Sequence, residues 1–246
     1  MNVTVANLSV TISERDFRAA VAAIQRQVTE HFQPEWGTGA RLKAVRIVLD
    51  GKKKAPVQKD ADVVIYLGDS SADPTTGVTD AEGYHSATNR DTPYGFVYLD
   101  ICAKSKDSWS GALSHEVLEM LADPDTALTV AGAPPGNPNG TVYYGLEVCD
   151  PTQGDEYFID GVTVSNFVGK KYFGLSGGSG KTNYLNLRLR AFGVRPAGYL
   201  QYETGSRSHS VYGKKVTDEQ KAAKKTMKTL RRNARRAARL AGAGKK

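Results

Sequence analysis

The residues most able to do chemistry stand in one short stretch, Ser114–Pro124 (SHEVLEMLADP). His115 and Glu119 are four residues apart, so in a helix their side chains lie one turn from each other on the same face. A histidine and a glutamate in this relation are able to bind one divalent metal ion. Glu116, next to the histidine, stands where zinc hydrolases keep their general base. The stretch therefore predicts an HExxE helix that binds a metal.

A solvated polar face is the simpler alternative for the same helix. Glu119 and Asp123, however, form a further pair of carboxylates at i,i+4, and like charges at this spacing repel each other in a surface helix. A nearby cation would remove that repulsion, which favours the metal-site interpretation. The opposite face carries Val117, Leu118 and Leu121 and is expected to pack against a sheet.

A catalytic metal site needs at least three protein ligands. Asp123 lies about 12 Å beyond His115 along a straight helix, so we expect it to orient a ligand or to tie down the loop before Pro124. Glu147 and Asp150 return after a loop and approach from another direction. Glu147 is the favoured third ligand, Asp150 the second choice and Asp123 the third. Cys149 is a soft donor between them, for which apolar burial is the simpler expectation.

The elements that must position these residues follow from hydrophobic periodicity, which predicts an α+β fold. An amphipathic helix is expected from its N-cap Ser13 to Phe32, ending before Pro34. Strands are predicted at 2–12, 42–50, 63–67, 94–102, 184–192 and 199–203, with a hairpin at 157–168 that turns at Asp160 and Gly161.

Strand 94–102 directly precedes the metal-type helix. As an edge strand beside the site it would bind an extended peptide by strand addition. The preceding segment, 68–91, is rich in Gly, Ser, Thr, Asp and Pro and is predicted to be a long loop of the kind that is either functional or mobile. Tyr84 and His85 in this loop, together with Tyr144, are candidate substrate or oxyanion contacts. A plain surface histidine is the alternative for His85.

The stretch Phe173–Thr182 (FGLSGGSGKT) comes close to a phosphate-binding loop. Leu175 stands where that pattern requires its first glycine, and neither a buried strand before it nor a long helix after it is predicted. We therefore expect a flexible glycine loop and no nucleotide site.

Charge divides the chain into an acidic body and a basic end. Residues 214–246 hold thirteen Lys/Arg and two acidic residues, a net +11, whereas the rest of the 246-residue chain carries a net −4. A helix is predicted from the cap at Val216–Glu219 to about Leu240. Nucleic acid or an acidic protein is the expected partner of this arm, with a solvated tail as the alternative.

Location is predicted from features that the sequence lacks. No apolar run approaches the length of a membrane span, and the N-terminus has no basic start or apolar core of a signal peptide. Two cysteines make no disulfide framework. We expect a cytoplasmic protein without membrane contact.

Three segments together resemble a poorly characterised zincin-like family of bacterial and phage proteins. They are LSHEVLEMLADP (Leu113–Pro124), EVCDP (Glu147–Pro151) and DEYFIDGVTVSNFV (Asp155–Val168). The resemblance covers about residues 40–205 and closes on GVRPAGYLQY (Gly193–Tyr202). The basic arm lies outside it.

This resemblance implies a zincin-like mixed sheet with a packing helix and an HExxE active-site helix, in a domain predicted to span residues 1–206. A basic arm, 207–246, follows. It further implies a metallopeptidase-like protein that cleaves a peptide or protein substrate by metal-activated water, with His115 and Glu119 as zinc ligands and Glu116 as base. Glu119 replaces the second histidine of better-known zincins, so manganese or calcium are alternatives to zinc.

A competing hypothesis comes from another functional class. A phage virion structural or assembly protein would retain the zincin scaffold without catalysis, and its basic arm would contact DNA or neighbouring phage subunits. A third hypothesis is a free nucleic-acid-binding protein, whose affinity would fall steeply with salt.

Overall fold

The structure is a computed structural model that describes residues 1–48, 60–71, 94–125, 127–205 and 207–222. These residues form an α+β fold with a parallel sheet, an antiparallel sheet and a separate hairpin. The parallel sheet consists of β1 (Asn2–Asn7), β2 (Arg41–Arg46), β3 (Val63–Gly68) and β4 (Tyr94–Tyr98). Its strand order is β2-β1-β3-β4, so β4 is an edge strand within the described residues.

A continuous helical segment follows β1. It comprises α1 (Glu14–Arg26), a π-helical stretch (Gln27–Phe32) and α2 (Gln33–Trp36). Ser13 is the N-cap, as predicted, and accepts a hydrogen bond from the N–H of Asp16. The predicted end before Pro34 is wrong: Pro34 lies in the first turn of α2, where the N–H that it lacks is not needed. Gly37 ends the helix in a left-handed conformation.

Strand β4 is shorter than the sequence predicted. The chain leaves the strand after Tyr98 and forms α3 (Leu99–Ser105), so the predicted continuation of the strand to Cys102 is wrong. The carboxylate of Asp100 accepts hydrogen bonds from the N–H and the hydroxyl of Ser71, at 3.0 and 2.9 Å. These contacts fix the first turn of α3 to the end of β3, and alternation of apolar residues does not reveal them.

The site helix, α4 (Trp109–Ala122), begins at its N-cap Ser108 and packs against β3 and β4. Its Val117, Leu118 and Leu121 are buried in the main core, as predicted. That core also receives one face of the parallel sheet and the inner side of α1. The other face of the sheet carries a cluster of aromatic side chains, which are Tyr66, Tyr94, Phe96 and Tyr98.

The second half of the chain is antiparallel. Its sheet has the order β10-β9-β6-β5 and consists of β5 (Thr129–Gly132), β6 (Val142–Gly145), β9 (Tyr199–Thr204) and β10 (Arg207–Tyr212). The predicted hairpin is confirmed as β7 (Glu156–Ile159) and β8 (Val162–Ser165). Asp160 and Gly161 turn it with φ of +51° and +77°. The predicted strand at 184–192 is wrong, because positive φ at Asn186 and Phe192 interrupts extended backbone there.

The start of the basic arm belongs to this body. Strand β10 lies beyond the predicted domain boundary at residue 207 and pairs along its length with β9. Next, the Lys215 N–H donates to the Pro196 carbonyl at 2.7 Å, and Val216 is buried. Thr217 and Gln220 then cap each other reciprocally where a helix was predicted to start. Residues 223–246 lie outside the described residues. Among the described helices, none is long and apolar enough to cross a membrane.

Candidate metal centre

A ring of buried hydrogen bonds positions helix α4. The Ser114 hydroxyl donates to the Gln27 side-chain oxygen at 2.6 Å and accepts the Ser165 N–H at 3.0 Å. The Gln27 amide donates in turn to the Ser165 carbonyl at 2.7 Å. These satisfied polar groups lock α4 against the π-helical stretch and β8, because any slip would leave a buried donor or acceptor without its partner. Sequence reasoning missed Gln27 and Ser114, since lone polar residues carry no pattern.

The predicted stacking of His115 and Glu119 is present. His115 Nε2 lies 3.1 Å from Glu119 Oε1. The same nitrogen lies 3.3 Å from Asp150 Oδ1. All three residues are buried, and Asp150 is fully enclosed. Asp150, ranked behind Glu147 in the sequence analysis, is thus the later carboxylate that contacts the imidazole.

The carboxylate of Glu119 also holds the returning segment in place. Its Oε1 faces the N–H groups of Cys149 and Asp150, each at 3.3 Å. Asp150 then opens a short 3-10 helix, Asp150–Thr152. The side chain of Glu119 therefore links the middle of α4 to the turn that carries the candidate third ligands.

The closing segment of the motif supports that turn from outside. The Arg195 N–H donates to the Pro151 carbonyl at 2.8 Å. The Arg195 guanidinium donates two hydrogen bonds to the Asp155 carboxylate, at 2.7 and 3.3 Å. A Cβ on Gly198 would lie 2.2 Å from the Pro151 oxygen, so only glycine permits this backbone approach. The quoted motif residues Asp155 and Gly198 therefore act by holding the Asp150 turn.

Five side chains supply donor atoms in two overlapping groups. His115, Glu119 and Cys149 form one group, and Glu119, Glu147 and Asp150 form the other. Within each group the donor atoms lie within 4.8 Å of one another, close enough for one ion to contact three of them at ~2.0–2.3 Å. The predicted ligands His115, Glu119 and Glu147 are spread over both groups, with Glu119 in common. The expected burial of Cys149 is confirmed, and its sulfur also stands among the donors.

The electrostatics of the cluster suit a cation. Burial alone would lower the pKa of His115, but the neighbouring carboxylates of Glu119 and Asp150 outweigh it and hold that pKa well above its ordinary value. Burial raises the pKa of the Cys149 thiol well above its ordinary value, and the charge of Glu119 adds to the effect. Acidic groups gathered out of water cost free energy unless positive charge accompanies them. These buried groups could therefore hold a metal ion.

A cleft of about 140 Å³ opens beside α4, and both His115 and Glu116 line it. Glu116 is partly exposed, and its Oε2 lies 3.8 Å from the position of a Cβ built on Gly95 of β4. Phe96 and Tyr98 of the same strand line the cleft. The candidate base thus faces an open space that runs along β4, the strand predicted to lie beside the site.

Asp123 ends α4 and fixes the loop that follows. Its carboxylate accepts the N–H groups of Ala127 and Leu128 at 3.0 and 2.7 Å. The sequence predicted such a role for the loop before Pro124, whereas these hydrogen bonds reach the backbone after Pro124 and involve both carboxylate oxygens.

The three candidate substrate contacts fall in different places. Tyr144 is buried, and its hydroxyl donates to the Ala133 carbonyl at 2.7 Å. The hydroxyl proton is therefore used in a hydrogen bond to the loop after β5. Tyr144 also borders a small cavity that Glu147 and Asp150 line. Tyr84 and His85 lie outside the described residues, and a role for them stays a prediction.

Comparison of the chain with protein-family models, with curated proteins and with solved structures gave no match. The resemblance of its motifs to a zincin-like family therefore stays a prediction, beside a site described by its own geometry.

Proposed function

We propose that the protein is a metallopeptidase-like hydrolase of the zincin type, centred on His115 and Glu119. One observation carries the proposal. The imidazole and the carboxylate stack one turn apart in a buried acidic cluster, and Glu116 faces the adjoining cleft along edge strand β4. A buried group of metal-donor side chains alone would fit a structural ion. A carboxylate beside it in an accessible cleft is what hydrolysis requires.

The metal would be held by His115 and Glu119, with the third and further donors drawn from Glu147, Asp150 and Cys149. Zinc is the proposed ion because it accepts mixed imidazole, carboxylate and thiolate donors. Manganese and calcium, which favour oxygen donors, are the alternatives. When bound, such an ion polarises a carbonyl and lowers the pKa of water.

The chain's own residues would supply binding and proton transfer. Glu116 would take a proton from the attacking water at its carboxylate and pass it to the leaving amine. Strand β4 would orient the substrate as an added strand, because the described residues place no further strand on its outer side. The apolar wall that Val97 and Ile101 give the cleft would exclude bulk water from the reacting bond.

The first test is metal content. Protein purified without chelator is expected to carry about one equivalent of metal per chain. We expect His115→Ala to lose the metal, because a site of three or four protein ligands does not hold its ion when one of them is removed. His209→Ala is the matched control: His209 contacts Thr204 at the far end of β9 and is expected to leave metal content unchanged. Full metal content in His115→Ala would overturn the proposed centre.

A second candidate function rests on charge. The net +11 of residues 214–246 against the acidic body favours a phage virion structural or assembly protein whose arm contacts DNA or neighbouring subunits. Because residues 207–222 pack on the body, the deletion that tests the arm starts at residue 223 and removes ten Lys/Arg and no acidic residue. Under this function the deletion weakens DNA binding and assembly, whereas Glu116→Gln leaves both unchanged.

A further inference from the structure

We infer that a basic surface on the body of the protein binds the phosphate backbone of nucleic acid, in addition to any contact made by the basic arm. The surface consists of five side chains, which are Lys170, Lys171, Lys181, Arg188 and Arg190. None of them lines the cleft beside β4 or belongs to the metal-donor groups. The inference therefore goes beyond the proposed function and does not rest on it.

The body divides into a basic segment and an acidic remainder. Residues 161–202 hold six Lys/Arg and no Asp or Glu, a net +6. The other residues of 1–213 hold fourteen Lys/Arg and twenty-four acidic residues, a net −10. Arg195, the sixth cation of the segment, lies 2.7 Å from the Asp155 carboxylate. A polyanion is therefore repelled by most of the body and attracted to the five remaining cations.

The basic surface is unpaired throughout the part of the chain that the structure describes. None of its five side chains forms an ion pair or donates a hydrogen bond to a described residue. Lys170 is half-buried, and the other four residues are exposed. Arg15 and Arg18 of α1 are exposed as well, but they lie 3.0 and 2.6 Å from carboxylates. The positive charge of the basic surface is thus open to a ligand.

Two carboxylates line the same cavity as Lys181, and each has other partners. Glu30 lies 3.2 Å from Arg26. Glu35 accepts the N–H groups of Lys170 and Ser179. These contacts leave the Lys181 ammonium without an ion pair inside the described chain.

Backbone contacts gather the basic residues from distant positions. The Gly169 N–H donates to the Thr182 carbonyl at 3.1 Å, next to an antiparallel bridge between the adjoining residues. The same register brings Lys170 and Lys181 to one end of this bridge. Like charges on neighbouring segments destabilise the fold, and a bound anion removes that cost.

A second contact adds the two arginines. The Phe192 N–H donates to the Tyr172 carbonyl at 3.3 Å, and the two aromatic rings lie 6.0 Å apart. The segment that carries Arg188 and Arg190 is thereby held against the segment that carries Lys171. Cations from three separate stretches of chain therefore meet around the same aromatic contact.

The other residues of the surface favour nucleic acid over a protein or a membrane. Protein interfaces have an apolar core, and membrane surfaces bind inserted apolar side chains. In residues 161–202, all of which are described, Leu175 is the only large apolar residue that is exposed. Its exposed neighbours are serines and glycines, and Asn186 is exposed as well. Hydroxyl, amide and backbone N–H groups contact phosphates together with Lys and Arg, so the predicted contact is with the backbone and independent of base sequence.

The test measures binding of a fluorescently labelled DNA duplex of mixed sequence to the full-length protein. Fluorescence anisotropy gives the affinity at salt concentrations between about 50 and 200 mM, and hence the salt slope. The Arg188→Gln/Arg190→Gln variant is expected to lower that slope by about 2, because each lost phosphate contact removes about 0.9. We expect the affinity at low salt to fall about tenfold or more. Melting curves confirm that the variant is folded.

Two further variants control for charge. Arg15→Gln/Arg18→Gln removes the same two positive charges from α1, where both are paired, and is expected to leave the slope unchanged. Arg188→Lys/Arg190→Lys keeps the charge of the basic surface and is expected to keep the slope. An RNA duplex of equal length is titrated in parallel, and the same dependence with either nucleic acid supports the inference.

Three results would overturn the inference. The first is an unchanged slope in Arg188→Gln/Arg190→Gln, which would leave the arm as the sole contact. The second is an equal loss in the α1 variant, which would mean that only net charge matters. The third is a polyglutamate chain of equal charge that competes as well as DNA, which would make the surface a site for acidic proteins. Absence of binding to either duplex overturns it as well.

Discussion

Two buried carboxylates of this protein, Glu119 and Glu35, are both held by backbone N–H groups, yet their surroundings differ. Oε1 of Glu119 faces the N–H groups of Cys149 and Asp150 and lies 3.1 Å from His115 Nε2. Glu35 instead uses both oxygens, since Oε1 accepts the Lys170 N–H at 2.9 Å and Oε2 accepts the Ser179 N–H at 2.5 Å.

The glycine loop explains the second arrangement. A Cβ on Gly178 would lie 2.3 Å from Glu35 Oε1, so the loop closes around the carboxylate as such loops close around a phosphate. Within Phe173–Thr182, the stretch that comes close to a phosphate-loop pattern, the Ser179 N–H is directed at an anion of the chain itself. Both oxygens of the Glu35 carboxylate therefore accept backbone hydrogen bonds, whereas Glu119 lies among further side chains that could bind a metal. The comparison therefore separates a structural carboxylate from a candidate ligand.

The largest expected difference between the Glu119 region and Glu35 is in catalysis. Glu116→Gln is expected to lower peptide hydrolysis by about 10²–10⁴-fold, because a positioned general base contributes that much, while metal content stays unchanged. Glu35→Gln is the comparison variant and is expected to keep the full rate per folded molecule. Equal loss of rate in both variants would show that the two regions do not differ in function.

Metal removal addresses the same difference through stability. A ligand at a hundredfold excess over its Kd stabilises the folded state by about 2.7 kcal/mol. For a chain of this size we therefore expect chelation to lower Tm by about 5–10 °C. His115→Ala should show no such shift, whereas Glu35→Gln should retain it. A shift that persists in His115→Ala would place the stabilising ion elsewhere.

A smaller effect distinguishes the two carboxylates directly, in chelated protein. Glu35→Gln puts an amide donor against a backbone N–H, whichever way it is turned, so one of the two partly buried N–H groups loses its acceptor. We expect a cost of about 2 kcal/mol, or about 4–8 °C in Tm. Glu119→Gln keeps an acceptor oxygen for Cys149 and Asp150, and His115 keeps the Asp150 carboxylate as its charged neighbour at 3.3 Å, so we expect Tm to shift by less than about 2 °C. Similar losses in the two variants, measured by calorimetry, would contradict the distinction.

The local parts of this architecture were predictable from sequence. The spacing of His115 and Glu119 predicted their contact, because helical geometry alone fixes it. The turn at Asp160 and Gly161 was predictable because both residues tolerate positive φ. In each case the physical cause lies within a few residues of the chain.

The remaining parts depend on contacts between distant segments. The contact of Asp150 with His115 requires the turn that Arg195 and Gly198 support, and no spacing rule predicts it. Likewise, β4 gives way to α3 because Asp100 binds Ser71, across 29 residues of chain. For the same reason Glu147 was ranked before Asp150: sequence places both in one segment, and only the fold distinguishes which carboxylate meets the imidazole.

Glu156 offers the smallest and most specific test, because it is a carboxylate with neither the cradle of Glu35 nor the donor cluster of Glu119. Burial, and then the charge of Asp107, raise its pKa in the folded protein. An acid whose pKa is raised by folding binds its proton more tightly in the native state. Stability is therefore lost as pH rises from the ordinary pKa of a glutamate through the raised value.

Glu156→Gln removes this loss. We expect the variant to match the unsubstituted protein at pH 4 or below and to melt about 1–2 °C higher at pH 7, a small gain because the side chain is partly solvated. Differential scanning calorimetry across this pH range measures the effect, and Glu35→Gln should shift in the opposite direction at pH 7. A Glu156→Gln variant that melts lower at pH 7 would contradict the raised pKa, because it would mean that the folded protein stabilises the charge of this carboxylate.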